Sequence, residues 1–74
     1  PINGNTYGIF TVQLPVYPYA LNMQVQAVKA DGSASTLTSF SHPGGLLTVP
    51  YALPKGTQLI LLVEGRETAK AQVK

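Results

Sequence analysis

Apolar side chains recur at every second position through most of this chain, which is the period of a strand with one face buried. In residues 7–14, Phe10, Val12 and Leu14 fall on one face, with Thr11 and Gln13 on the other. Residues 21–29 alternate most regularly, setting Leu21, Met23, Val25 and Ala27 against Asn22, Gln24 and Gln26. Asp31-Gly32 follows, a pair that favours a two-residue type I′ turn because both central residues need positive φ. Such a turn joins Ala30 to Ser33 and sets Val25 opposite Thr38 and Met23 opposite Phe40, which predicts a third strand over residues 35–41. Pro43-Gly44-Gly45 interrupts the pattern. A fourth segment, residues 46–51, puts Leu47, Val49 and Tyr51 on one side, and Pro50 suits an edge or a bulge.

Pro54-Lys55-Gly56 reads as a turn, followed by segments at residues 57–64 and 67–74. A type II′ turn at Gly65-Arg66 pairs Glu64 with Glu67, Val63 with Thr68, Leu61 with Lys70 and Leu59 with Gln72. Ile60 and Leu62 then share a core face with Ala69, Ala71 and Val73. That register turns Leu59, Leu61 and Val63 away from the core, toward a second layer or a partner chain. It also sets two glutamates opposite each other, a small cost that a slip of one residue relieves. Pro15 and Pro18 hold residues 15–19 extended, near polyproline II.

Six short strands separated by turns predict one all-β domain over residues 1–74, mainly antiparallel, built as a small sandwich or a closed barrel. Residues 55–73 resemble the last hairpin of immunoglobulin-like modules. The resemblance covers about 20 residues and lacks the Cys, Trp and tyrosine-corner features of that family.

Charge changes the picture. Charged residues make up 11% of the chain against about 25% in ordinary domains, and six of the eight fall at Lys55 or later. None occurs before Lys29, and none between Gly32 and Pro54. A free monomer keeps itself soluble with a mixed, charged surface. A long neutral stretch rich in Tyr, Gln, Asn, Ser and Thr suits a surface held against something else. A chain of 74 residues without cysteine has no disulfide to help it and must rely on a well-packed core or on oligomerisation.

The residues available for chemistry are few. The acids Asp31, Glu64 and Glu67 each sit in or beside a turn, where solvated roles are ordinary. Ser41 and His42 are neighbours in an extended segment and point to opposite faces, with no buried acid to orient the imidazole. One histidine and no cysteine rule out a histidine or thiolate metal cluster within one chain. Gly44-Gly45 lacks the Lys-Ser/Thr and the helix of a phosphate loop. No cofactor, metal or catalytic residue is expected. A single-strand nucleic-acid site needs aromatics interleaved with basic residues, yet Tyr7, Tyr17 and Tyr19 lie in a stretch with no basic residue. The longest apolar run, residues 59–63, is too short to cross a membrane. Pro1 is compatible both with removal of an initiator methionine and with a processing cut.

The sequence therefore points to a non-enzymatic structural or assembly module acting through protein–protein contacts, by self-association or by docking on a virion, fibre or multidomain surface protein. Its expected setting is extracellular or virion-associated. The expected contact residues are Tyr17, Tyr19, Leu59, Leu61 and Val63. The alternative is a ligand-binding β module, with Tyr17 and Tyr19 stacking on glycans or on single-stranded nucleic acid.

Overall fold

A computed structural model describes residues 5–74. Pro1 and the question of what precedes it lie outside the described residues. Four strands follow one another, β1 (Asn5–Val28), β2 (Ala34–Pro54), β3 (Gln58–Val63) and β4 (Arg66–Gln72), and no described residue is helical. They form one open sheet in the order β2-β1-β3-β4, with every pair antiparallel. The all-β, antiparallel reading holds. The count of six strands does not, and neither does closure into a barrel, because the first four expected segments are two halves of β1 and two halves of β2.

The physical reason lies in the two proline-bearing breaks. Pairing of β1 with β2 runs unbroken from Asn5↔Pro54 to Gln13↔Leu46, survives at Val16↔Gly44, and resumes at Leu21↔His42. Between Gln13 and Leu21, β1 takes eight residue steps where β2 takes four. The surplus lets the two-stranded ribbon turn without losing its ladder. A straight strand of the 24 residues in β1 would span about 80 Å at ~3.3 Å per residue. The longest dimension of the molecule is 41 Å, so the ribbon must fold back. We call residues 5–14 with 46–54 the outer arm. The inner part holds residues 21–28 and 34–42 together with β3 and β4. Residues 15–19 belong to β1 throughout, rather than forming a separate polyproline segment.

Both hairpins differ from expectation by one residue, with opposite consequences. After β1, Gly32 N–H donates to the Lys29 carbonyl at 2.9 Å, and Lys29 N–H donates to the Ser33 carbonyl at 2.8 Å. This is a three-residue loop, in which a type I turn is followed by Gly32 at φ 92°. It pairs Ala27 with Ser35 rather than with Thr36. A bulge between Val25 and Gln26 leaves Leu37 as the extra residue and restores the expected Val25↔Thr38 and Met23↔Phe40 pairs. The core face of this hairpin is the expected one.

In the last hairpin the slip is not repaired in the same way. The turn is Glu64-Gly65, with φ values of 50° and 81°, and it pairs Val63 with Arg66. A bulge at Thr68 then gives Leu61↔Ala69 and Leu59↔Ala71 in place of the expected Lys70 and Gln72 partners. Leu59, Leu61 and Val63 consequently point into the core, at 1%, 0% and 7% exposure, and Ile60 and Leu62 are the half-buried pair on the other face. Each fully buried aliphatic side chain is worth about 1.5–3 kcal/mol, and one register buries three where the other buries two. That margin exceeds the ~0.2–1 kcal/mol of any single cross-strand pair. Contact with β1 secures the choice. Asn22 accepts from Glu64 N–H at 2.8 Å, while its own N–H donates to the Glu64 carboxylate at 2.6 Å. The carboxylate thus takes the place of a ladder carbonyl at the point where the chain turns away.

One apolar cluster joins both parts of the sheet. Phe10, Leu14, Leu47 and Val49 come from the outer arm; Met23, Val25, Ala27, Leu59, Leu61 and Val63 from the inner part; Val73 closes the end beyond β4. The folded ribbon thereby brings the inward face of each part into a shared core, which alternation alone had marked out correctly in β1 and β2.

Candidate functional site

The outer arm has a second face. In β1 the residues that alternate with Phe10, Val12 and Leu14 are Tyr7, Ile9, Thr11 and Gln13. In β2 their direct partners are Ala52, Pro50, Thr48 and Leu46. All eight are exposed, and no charged side chain occurs anywhere in either strand. Tyr7, Ile9 and Leu46 are 63%, 64% and 60% exposed. The inner face beneath is tightly built: a Cβ added to Gly8 would meet the Tyr51 hydroxyl at 2.5 Å, so the phenol of its cross-strand neighbour covers the glycine.

The patch borders a groove of about 360 Å³ between the halves of β2. Phe40 and His42 line it from the inner half, and Leu47 and Val49 of the core together with Leu46, Thr48 and Pro50 of the neutral face from the outer half. Phe40 and His42 meet edge to face at 6.3 Å. The imidazole Nδ1 accepts the Gly44 N–H at 3.1 Å, which ties the ring to the bend. Ser41 lines a different depression, beside Asn22 and Gln24.

The acids are each engaged locally. Asp31 accepts from the Ser33 hydroxyl at 2.7 Å and from its N–H at 2.9 Å. Those bonds, the hydroxyl's first, hold its carboxyl below the ordinary value. Glu64 is bonded to Asn22, and Glu67 lies 3.6 Å from Lys70 in an exposed pair. Among the described residues no group of three His, Asp or Glu side chains is placed to hold a metal ion.

The expected contact residues separate into two groups. Leu59, Leu61 and Val63 are core side chains with almost no surface left for a partner, so an exposed site cannot be built on them. Tyr17 is half-buried and packs on the core cluster, with its ring against the bend at Gly44. Tyr19 is 67% exposed and stands apart from it, since Phe40–His42 is the one aromatic pair among the described residues. The two tyrosines thus present one exposed ring rather than a platform of two. Tyr7, Ile9, Leu46, Pro50 and Ala52, exposed together on the outer face, were not among the expected contact residues. Their signal was visible in residues 7–10, Tyr-Gly-Ile-Phe, which place large apolar side chains on both faces of one strand.

No protein-family model matches the chain, and no solved structure matches it. A Borreliella burgdorferi (strain B31) protein, described as uncharacterized, is 33% identical to it over 61 residues. The matched region covers 82% of this chain and 19% of that protein, so the chain spans about a fifth of the length of the relative it matches.

Proposed function

We propose that this chain is a non-enzymatic assembly module that makes protein–protein contacts through the outer face of the outer arm, which serves as one layer of a small sandwich over the β1–β3–β4 core. The observation that carries the reading is the neutral face formed by Tyr7, Ile9, Leu46, Pro50 and Ala52, set on two strands without a single charge. Hydrophobic area of this kind favours association, and the tyrosine adds a polar tip that tolerates solvent when the contact is open. The charges lie elsewhere, at the Lys29/Asp31 loop and from Lys55 onward, where they keep the module soluble while leaving the face free.

The test is the solution mass by multi-angle light scattering over a hundredfold dilution, for the unmodified chain and for an Ile9→Lys/Leu46→Lys double variant. The unmodified chain should exceed its 7.8 kDa monomer mass at high concentration, and the variant should return to it with an unchanged circular dichroism spectrum. Equal masses for the two proteins at every concentration would remove the face from consideration.

A further inference from the structure

A strand at the edge of a sheet exposes a row of unpaired N–H and C=O groups, and natural proteins guard such edges with charges, prolines or bulges. The described pairings leave five stretches with an open side, one of them residues 15–21 of β1 with Pro15 and Pro18. On β4 the edge carries Arg66, Glu67 and Lys70. On the outer half of β2 it carries Pro50 and Pro54. The inner half of β2 is broken by the bulge at Leu37 and ends at Pro43. Residues 5–14 of β1 carry none of these devices. They hold no charge and no proline, and their register with β2 is unbroken from Asn5↔Pro54 to Gln13↔Leu46. The stretch is also rich in the β-branched and aromatic residues that favour pairing.

We propose that this edge pairs antiparallel with the same edge of a second copy of the chain, joining two outer arms into one four-stranded layer. The proposal rests on reading the outer arm as a contact surface and names its partner. A second copy fits because the edge is neutral throughout, so two identical edges meet with no like charges in the joined strands. Two-fold pairing makes the contact isologous, and the guards on the other edges stop growth at two copies rather than a fibre. Joining the arms also doubles the neutral outer face, since Tyr7 and Ile9 of both copies then lie on the same surface.

Thr11 and Thr48 provide the test. They are direct cross-strand partners, both exposed on the outer face, but Thr11 lies on the strand that forms the proposed seam and Thr48 on the neighbouring strand away from it. Sedimentation velocity on the full chain should show a dimer for the unmodified protein. Thr11→Lys should weaken it at least tenfold, because it adds a positive charge from each copy to the joined edge, the device by which natural edges resist pairing, and Thr48→Lys should leave it unchanged. Concentration-dependent hydrogen exchange should show alternate amides of residues 5–14 gaining protection in the dimer. Equal weakening by both variants, with those amides unprotected, would overturn edge pairing in favour of contact through the outer face. A dimer indifferent to both variants would overturn both readings, and a monomer at every concentration would overturn the second copy as partner.

Discussion

Replacing Gly44 by alanine tests the bend on which the whole arrangement depends. Gly44 has a φ of 91°, and a Cβ built on it would lie 1.9 Å from the Pro15 carbonyl oxygen. That oxygen belongs to the backbone of β1 beside the Val16↔Gly44 pair, so it cannot swing aside as a side chain would. The left-handed conformation costs a residue with a Cβ about 1–2 kcal/mol, and forced overpacking adds about 1–3 kcal/mol. The expected loss is therefore about 2–5 kcal/mol. A domain of this size holds roughly 4–11 kcal/mol in all, at about 0.05–0.15 kcal/mol per residue. Gly45→Ala is the control. Its φ is 81°, but nothing lies within 4 Å of the added Cβ, so it carries the conformational cost alone. Urea denaturation followed by circular dichroism reads both. With a slope near the low end of small-protein values, about 1 kcal/mol per molar, Gly44→Ala should lower the midpoint by about 2 M or more. Gly45→Ala should lower it by about 1–2 M, always less than its neighbour. Equal losses for the two variants, within about 0.5 kcal/mol, would mean that the Pro15 carbonyl does not sit against Gly44 and that the ribbon does not turn as described.

Three further outcomes are expected. Leu61→Ala, at a fully buried site, should cost about 2–5 kcal/mol in denaturant titrations, and Leu62→Ala on the half-buried face markedly less; the reverse order would restore the other register of the last hairpin. Glu64→Ala should lose the bond to the Asn22 amide at a cost of about 0.5–1.5 kcal/mol and speed exchange of that amide, whereas an Asn22 amide that exchanges at the same rate in both proteins would show the carboxylate to be idle. The Asp31 carboxyl is held below its ordinary value of 3.8 by Ser33. Its contribution to stability is therefore complete above that value and is lost as the pH falls through the lower folded one. Asp31→Ala should flatten the stability profile in that acid range, and an unaltered profile would assign the slope to other groups.

Much of this fold was legible because alternation reports a physical fact, the burial of one face, wherever only one face is buried. In residues 21–29 the pattern, the turn dipeptide and the core all agree, and even the unforeseen three-residue loop is compensated by the bulge at Leu37. The neutral stretches of β1 and β2 were likewise plain in the composition. Where both faces are apolar, alternation loses its power. Residues 59–63 read equally well in either register, and the choice fell to Asn22, a residue more than forty positions away whose backbone claims both the amide and the carboxylate of Glu64. The same ambiguity in residues 7–10 hid the exposed pair Tyr7 and Ile9 behind the buried Phe10. Prolines and glycines in sequence mark where a chain departs from a regular path, without saying whether the ladder breaks there or bends. Here it bends, because β1 has residues to spare and Gly44 lets the two backbones close up. The sequence by itself determined the inward faces of β1 and β2, the neutrality of those strands and roughly where the chain turns; only the tertiary structure decided the exact turns and which apolar face of residues 59–63 is core, since burial depends on neighbours that are distant along the chain.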